Sequence, residues 1–212
     1  TTDISSGAQG AGDVLNSSVA RSLRDQYKAD LVSFWSGSGG SAGSGFNLDG
    51  GGHPDNGYNT SKFSLVQTYF TFAHECGHNM GAKHDRKAYS SKPYKLEVTP
   101  YYRYGKSYST YRSVMSYDNC TSGGSCPRVP YYTNPDITVN GAPFGVGGSS
   151  QSYDVNGPAN NSRRLNETAE IVSAWKKGTA VQLFELTVTD GYGDGSYKEG
   201  STVSISAENA PT

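Results

Sequence analysis

The chain has 212 residues and a formal net charge of −1, which suits one domain with a small appendage. A charge this close to zero gives no indication of nucleic-acid binding or of an acidic membrane surface, and no apolar run reaches the roughly 20 residues of a membrane-spanning helix. Charged residues make up only 17% of the chain while Gly, Ser, Thr, Asn and Tyr are abundant, a composition typical of secreted, extracellular proteins. No signal peptide is present, so Thr1 is interpreted as an internal or processed start.

The first elements predicted are a helix and a strand. Residues 1–11 form a polar tail, and an apolar side chain then recurs every four positions through residues 13–28, a period that predicts a helix with Asp13 at its start. The recurring residues are Leu15, Val19, Leu23 and Tyr27. The segment Asp30–Trp35 predicts a buried strand, so that a helix and a strand precede the next elements in an α/β arrangement.

A segment rich in Gly and Ser follows, residues 36–59, and its composition predicts a surface loop. His53 in this segment is interpreted as a solvent-facing side chain rather than a metal ligand. The short run Phe63–Val66 predicts a strand that leads into a helix starting near Thr68.

The strongest motif is H-E-C-G-H-N-M-G-A-K-H, residues 74–84, which holds three of the chain's four histidines. On a helix, His74 and His78 lie one turn apart on the same face, so both imidazoles can bind one metal ion. His84 can join them only if the chain turns after the helix, and Gly81 adopts such a turn at little steric cost. Three imidazoles with a fourth position left for water describe a catalytic zinc site. The alternative is a helix with surface histidines, which these five identities at this spacing disfavour.

Glu75 lies directly beside the first histidine of the motif and can reach a water bound to the metal. Zinc lowers the pKa of such a water to about 7 and polarises a substrate carbonyl. Glu75 can then take the proton from the water and hand it to the leaving amine. The motif therefore predicts hydrolysis of peptide bonds without a covalent intermediate.

The spacing H-E-x-x-H-x-x-G-x-x-H resembles the signature of the metzincin zinc peptidases. The resemblance implies a methionine turn downstream, for which Ser113–Tyr117 is the candidate, with Met115 as an apolar floor under the zinc histidines; on its own, such a methionine would be core filler. Asp85, directly after the third histidine, is similar to the reprolysins and adamalysins, in which it braces the turn. The Met-x-Tyr sequence instead resembles the astacins and serralysins, and this implies that Tyr117 is either an additional zinc ligand or a phenol that lines the core or the cleft.

The resemblance also implies the borders of a substrate cleft. Residues 36–59 would lie near its upper rim, where metzincins present an edge strand that binds peptide as an added strand. Residues 128–135, R-V-P-Y-Y-T-N-P, resemble the wall that bounds the pocket for the residue just past the scissile bond in bacterial reprolysin-like peptidases. Residues 86–112 show no clear period and are interpreted as an irregular connection.

Two of the three cysteines predict a disulfide. Cys120 and Cys126 flank T-S-G-G-S, and in a secreted protein this spacing favours a bond that closes a short loop. Cys76 lies inside the zinc motif but on a different side of the helix from the histidines, so zinc ligation by its thiolate is not expected. Two interpretations of Cys76 stay open: a buried free thiol, or a disulfide to a segment outside this sequence.

Residues 161–177 predict the last helix of the domain, with Gly178 after it. Its apolar stripe consists of Leu165, Ala169, Val172 and Trp175. The resemblance covers about residues 11–177 and implies a catalytic domain over residues 1–178. Metzincin domains usually open with a strand, a helix and a second strand that this sequence lacks, so a separate N-terminal piece of the same precursor is an expected partner.

Residues 179–212 predict a β-rich extension that resembles the start of a repeat found at the C-termini of secreted bacterial proteins. Two segments in it alternate with period two, Phe184–Thr189 and Val203–Ala207. Asp190 and Asp194 in the connection between them are candidates for Ca2+, with a solvated turn as the alternative.

The sequence thus predicts an α/β (α+β) protein of the metzincin type. We expect a mixed sheet with the active-site helix above it, and an irregular lower subdomain with a C-terminal helix. The predicted function is that of a secreted bacterial Zn2+ endopeptidase acting on protein or peptide substrates. The alternatives are a non-enzymatic adhesion or surface module with a structural zinc site, and a zinc hydrolase acting on a substrate other than a peptide.

Overall fold

The computed structural model describes residues 9–37, 43–45, 53–91, 96, 100–120, 125–176, 183–189, 191–192, 195–198 and 202–207. The chain divides into two compact units, Thr1–Lys176 and Lys177–Thr212. The described α-helices of the first unit are α1 (Ala11–Asn16), α2 (Ser18–Tyr27), α3 (Phe63–Val66), α4 (Thr71–Asn79) and α5 (Asn161–Ser173). Its described strands are β1 (Val32–Ser36), β2 (Gly43–Gly45), β3 (Tyr58–Lys62), β4 (Lys83–Asp85), β5 (Tyr104–Gly105), β6 (Asn134–Val139) and β7 (Ala142–Phe144).

The segment predicted as one helix is two. Ser17 has extended backbone between α1 and α2, with φ −73° and ψ 120°, and its hydroxyl accepts a hydrogen bond from the N–H of Ala20 at 3.2 Å. Ser17 is therefore the N-cap that starts the second helix. Asp13 is not an N-cap, since it lies inside α1, where its carboxylate accepts from the N–H groups of Gln9 at 2.8 Å and Gly10 at 3.2 Å.

The side chains that these two helices bury are not the apolar side chains whose spacing predicts a helix. The recurring apolar side chains are largely exposed: Val19 63%, Leu23 47% and Tyr27 70%. Val14 and Ala20 are buried instead and pack against Tyr58 of β3. Arg24 is also buried, because its guanidinium donates to three backbone carbonyls and lies over the ring of Tyr58.

Strand β3 is the centre of a mixed three-stranded sheet with the order β1-β3-β2. β1 runs parallel to β3, with Val32 opposite Tyr58, and β2 runs antiparallel to β3, with Gly43 opposite Ser61. The predicted strand Asp30–Trp35 is thus present from Val32 onward, although it is partly exposed rather than buried. The small sheets and the helices around them confirm the predicted mixed α/β class.

The prediction of a strand at Phe63–Val66 is wrong, because these residues form the single helical turn α3. Pairing with the neighbouring strand ends at Lys62. A run this short fits a strand and a helical turn equally well, so its pattern alone does not distinguish them. Helix α4 then begins at Thr71 rather than near Thr68, and the hydroxyl of Thr71 donates to the carbonyl of Leu65 at 3.0 Å.

Helix α5 is tied directly to the end of α4. Asn160 caps α5 by accepting from the N–H of Arg163 at 3.0 Å. The hydroxyl of Thr168 donates to the carbonyl of Met80, the residue that follows α4, at 2.7 Å. α5 ends at Ser173, so the predicted helix is shorter than expected at its C-terminal end.

The described strands of the second unit are β8 (Leu183–Leu186), β9 (Gly191–Tyr192), β10 (Gly195–Lys198) and β11 (Ser206–Ala207). β8 pairs antiparallel with β10, and β9 pairs antiparallel with β11. Asp190 and Asp194, the candidates for Ca2+, lie outside the described residues. Across the part of the chain that the structure describes, no helix combines the length and the apolar character needed to cross a bilayer.

Candidate active site

Helix α4 carries the first part of the histidine motif and ends in a turn that requires glycine. Gly81 has a φ of +87°, and its N–H donates to the carbonyl of His78 at 2.9 Å. The N–H of Ala82 donates to the carbonyl of Gly77 at 2.8 Å. These two bonds form a Schellman motif, in which a left-handed residue reverses the chain after a helix. His84 on β4 therefore returns toward the helix, as the motif predicts.

The structure brings the three histidine side chains of the motif together. Nε2 of His84 lies 3.1 Å from Nε2 of His74 and 2.9 Å from Nε2 of His78. All three candidate ligand nitrogens lie within 4.8 Å of one another. Three nitrogens that converge in this way form a donor set for one metal ion.

Backbone carbonyls orient two of these imidazoles. Nδ1 of His74 lies 2.8 Å from the carbonyl of Val114, and Nδ1 of His78 lies 2.9 Å from the carbonyl of Ala82. Each Nδ1 therefore carries the proton and donates it, so that Nε2 presents its lone pair to the cluster. Burial holds the pKa of His74 well below its usual value and lowers the pKa of His84 to about 2. Both rings are consequently neutral, which is the state that binds a metal.

Met115 is fully buried beside the histidine cluster. It packs with Ala82 and Val114, and Val114 is the residue whose carbonyl orients His74. The partly buried side chains around this group are Phe70, Ala73 and Tyr132. The role of Met115 as the floor of a methionine turn stays a prediction.

Asp85, the last residue of β4, is hydrogen-bonded to the segment that follows Met115. Its buried carboxylate accepts from the N–H of Tyr117 at 2.9 Å, the side-chain amide of Asn119 at 3.1 Å and the N–H of Ala88 at 3.2 Å. The ring of Tyr117 lies against the ring of His84, with centroids 3.9 Å apart. Asp85 therefore positions Tyr117 at the cluster, while zinc ligation by Tyr117 stays a prediction.

Glu75 is buried between the imidazole cluster and strand β2. A Cβ on Gly43 of β2 would collide with Oε1 of Glu75, so this strand can approach the carboxylate only because it is made of small residues. Burial raises the pKa of Glu75 to about 8, and the charge of Arg128 opposes that rise. A carboxyl group with a perturbed pKa in a cleft is a candidate acid–base group.

Two arginines at the same cleft were not predicted as site residues. Arg112 is buried and donates to the carbonyls of Cys126 at 2.9 Å and Ser116 at 3.0 Å. Arg128 donates from Nη1 to the carbonyl of Tyr69 at 2.9 Å and from Nε to that of Ser116 at 3.3 Å. Burial lowers the pKa of Arg128 to about 10, which leaves its guanidinium charged at neutral pH. The sequence signal for Arg128 was its place at the start of the predicted cleft wall.

The cleft is an open cavity of about 690 Å3, a volume within the range of ligand pockets. Its described lining consists of Gly43, Gly45, Leu65, Tyr69, Thr71, His74, Glu75, His78, His84, Tyr89, Arg112, Tyr117 and Arg128. The same cleft is therefore lined by strand β2, the histidine cluster and the two arginines. Glu75 is the only acidic side chain in this described lining.

The three cysteines and His53 are the other candidate residues that the sequence singled out. Cys120 and Cys126 form the predicted disulfide, with their Cα atoms 6.2 Å apart. The sulfur of Cys76 accepts from the side-chain amide of Asn59 at 3.6 Å, and burial raises the pKa of its thiol to about 11. Cys76 forms no disulfide within this chain, and its two interpretations, a free thiol or a disulfide to a segment outside this sequence, stay predictions. The side chain of His53 is 72% exposed and lies outside the imidazole cluster.

Comparison with known proteins finds one matching family model and several curated relatives. The model described as metallo-peptidase family M12, of reprolysin type, matches residues 2–139. A peptidyl-Asp metalloendopeptidase of Stenotrophomonas maltophilia (strain R551-3) is 36% identical over 115 residues, which are 51% of this chain and 23% of the relative.

Two further relatives have the same printed description. The protein of Xanthomonas campestris pv. campestris is 40% identical over 88 residues, covering 41% of this chain and 19% of the relative. The protein of Pseudomonas fragi is 35% identical over 105 residues, covering 50% of this chain and 58% of the relative. In each of these comparisons the chain spans less than two thirds of the relative's length.

Proposed function

The chain belongs to metallo-peptidase family M12, and from that premise we propose that it is a zinc-dependent endopeptidase in which Glu75 is the general base. One observation carries the proposal: the Nε2 atoms of His74, His78 and His84 converge beside a buried carboxylate in an open cleft. The family implies a metal ion, and the choice of zinc belongs to the proposal. Three imidazoles that leave one position open match the ligand set of catalytic zinc.

The spacing of the ligand atoms fits such an ion. Two nitrogens at 2.0–2.1 Å from a tetrahedral ion lie about 3.3 Å apart. The Nε2 separations of 3.1 Å and 2.9 Å are close to that value. His74, His78 and His84 would hold the metal, with Tyr117 as a further candidate ligand because its ring already lies against His84.

The zinc ion, when bound, lowers the pKa of a water molecule and polarises the carbonyl of the scissile peptide bond. Glu75 takes the proton from the attacking water and delivers it to the leaving nitrogen, so that the carboxylate is regenerated in each turnover. The positive charge of Arg128 opposes the effect of burial, which raises the pKa of Glu75 to about 8, and a bound metal cation would further favour the carboxylate form that this role needs. Burial between β2 and the cluster fixes the direction of the carboxylate and limits its access to bulk water.

Strand β2 supplies the binding edge of the cleft in this proposal. It is the last strand of the three-stranded sheet, and two of its glycines line the cavity. An extended substrate segment can add to such an edge through main-chain hydrogen bonds, which do not depend on the side chains of the substrate. This arrangement corresponds to the metzincin architecture that we assign to residues 1–178, with Met115 beneath the histidines.

The substrate preference and the location of the protein are also proposals. The relatives are described as peptidyl-Asp metalloendopeptidases, and we assign the same preference for Asp-containing peptides to this chain. The weakly charged composition and the disulfide support secretion, since disulfides persist outside the reducing cytosol. The relatives come from bacteria, which supports a bacterial source. A β-rich extension at residues 179–212 completes the proposed organisation.

Casein hydrolysis under metal exchange tests the proposed function. We expect the zinc-loaded protein to cleave casein, 1,10-phenanthroline to stop the reaction, and added ZnCl2 to restore it, because in this mechanism the water is activated by the metal that the three imidazoles hold. A sample with chelator and a molar excess of zinc is the control for inhibition by the chelator itself. Cleavage that continues at full rate in metal-free protein would overturn the zinc mechanism. A folded, zinc-loaded chain that cleaves no protein or peptide would overturn the peptidase assignment in favour of a structural zinc site or another substrate.

A further inference from the structure

Arg128 carries a positive charge into the cleft, where the described residues supply no carboxylate in ion-pair contact with its guanidinium. Within the described residues its guanidinium donates to two backbone carbonyls, those of Tyr69 and Ser116. The third nitrogen of the guanidinium, Nη2, donates to no acceptor in that part of the chain. An arginine that lines a cavity and has an unused guanidinium nitrogen can donate hydrogen bonds to an incoming anion.

The backbone around Arg128 is held rigidly against the neighbouring segment. The N–H of Arg112 donates to the carbonyl of Pro127 at 3.0 Å, and the N–H of Val129 donates to the carbonyl of Arg112 at 2.9 Å. These two bonds bracket Arg128 in a parallel bridge with Arg112. The side chain of Arg112 binds the carbonyl of Cys126, one half of the disulfide, at 2.9 Å. Arg128 is therefore positioned before any substrate binds, which reduces the entropy lost when its guanidinium pairs with a ligand.

The charges of the described cavity lining favour an anionic ligand. Arg112 and Arg128 supply two positive charges, and Glu75 supplies the only acidic side chain. A divalent ion at the histidine cluster would make the imbalance larger. Because the cavity is partly shielded from water, this excess is screened less than at an exposed surface, and an incoming carboxylate is attracted.

We propose that Arg128 is the specificity-determining residue of the cleft and that it binds the acidic side chain of a substrate residue flanking the scissile bond. This inference rests on the proposed endopeptidase function and adds the residue that selects the substrate. Arg112 is a positioning residue, because it holds the wall segment and does not need to touch the substrate. A planar guanidinium donates parallel N–H hydrogen bonds to both oxygens of a carboxylate, whereas an Asn side chain of the same shape offers only one acceptor oxygen.

Another role for Arg128 predicts a different kinetic pattern. If Arg128 stabilised the developing oxyanion instead, its loss would slow the hydrolysis of every peptide equally. If it bound an acidic side chain, its loss would slow the substrates that carry one more than the substrates that lack one. The ratio of kcat/KM for two peptides that differ in a single residue separates the two roles.

The test uses two pairs of peptides, identical except for Asp or Asn, with the varied residue directly before or directly after one cleavable bond. We expect the wild type to prefer Asp in one pair, and Arg128→Gln to reduce that Asp/Asn ratio by at least about 10-fold, the lower range for a hydrogen bond to a charged group. Arg21→Gln is the matched control, because Arg21 is an exposed arginine outside the cavity lining, and it should leave the ratio unchanged. Arg128→Glu should reverse the preference, so that a peptide with Lys at the same position is cleaved better than the Asp peptide.

Binding provides a second measurement that does not depend on turnover. Zinc-loaded Glu75→Gln protein should bind the preferred Asp peptide at least about 10-fold more tightly than its Asn counterpart, and adding Arg128→Gln should remove the difference. Equal losses for Asp and Asn peptides, or an unchanged ratio in folded Arg128→Gln and Arg128→Glu proteins, would overturn the inference while the endopeptidase function stands. A wild type that binds the Asp peptide through Arg128 but never cleaves it would support the inference and overturn the proposed function.

Discussion

Glu75→Gln is expected to lower kcat/KM for peptide hydrolysis by about 100- to 10,000-fold, the range that a positioned general base contributes. Gln has nearly the same size and shape as Glu, so it fits the buried space next to β2 that the carboxylate occupies. The amide cannot take a proton from water, so the loss should appear in the chemical step. Steady-state kinetics on a fluorogenic peptide, together with zinc analysis of the same sample, measures both quantities.

The zinc content of Glu75→Gln should stay near that of the wild type, because the three imidazoles are untouched. Glu170→Gln is the matched control: Glu170 is an exposed residue on α5 outside the cavity lining, and its replacement should leave the rate unchanged. Turnover within a few-fold of the wild type in Glu75→Gln would refute the assignment of Glu75 as the base. Loss of zinc and of folding in the same variant would show that the carboxylate has a structural role instead.

His84→Ala is expected to abolish both zinc retention and hydrolysis. The loss of a partner that only orients a ligand already lowers metal affinity by about 10- to 100-fold, and the loss of a ligand should exceed that. His84 is the ligand that the turn at Gly81 returns to α4, and its Nε2 lies within 3.1 Å of both other Nε2 atoms. Competition with a chromogenic zinc chelator measures the affinity directly.

The chain offers a matched control for this substitution in its fourth histidine. His53 is exposed and outside the cluster, so His53→Ala should retain zinc and activity. The proposed site would be contradicted if His84→Ala bound zinc as tightly as the wild type, or if His53→Ala lost zinc to the same extent.

The sequence motif predicted the histidine cluster well because its geometry is local. His74 and His78 are one helical turn apart, and Gly81 ends the helix in a conformation that few other residues adopt. The disulfide was likewise predicted from a short spacing, and the structure confirms it between Cys120 and Cys126. Neither inference required knowledge of distant contacts.

The features that were missed depend on tertiary contacts. The turn at Phe63–Val66 is helical because the sheet pairing ends just before it, and its four residues do not encode that boundary. The apolar period in α2 faces outward, and the buried face includes Arg24, which donates to three carbonyls. Local sequence does not show which face of a helix meets the sheet when both faces carry apolar groups.

The cleft arginines were missed for the same reason. Arg112 and Arg128 meet because the two segments form a bridge across the Cys120–Cys126 disulfide loop, and a basic residue in an irregular segment is most often solvated. The approach of Gly43 to Glu75 likewise follows from the pairing of β2 with β3. Residues that select or shield a substrate are therefore harder to find from the sequence than residues that bind a metal, because no fixed spacing connects them.

X-ray absorption spectroscopy at the zinc edge of the wild-type protein tests the central claim most directly. If the Nε2 atoms of His74, His78 and His84 hold one zinc ion, the spectrum fits three imidazole nitrogens at about 2.0–2.1 Å together with an oxygen ligand. A zinc-loaded protein whose spectrum shows fewer than three imidazoles, or a sulfur at about 2.3 Å, would contradict the proposed centre and the mechanism that depends on it.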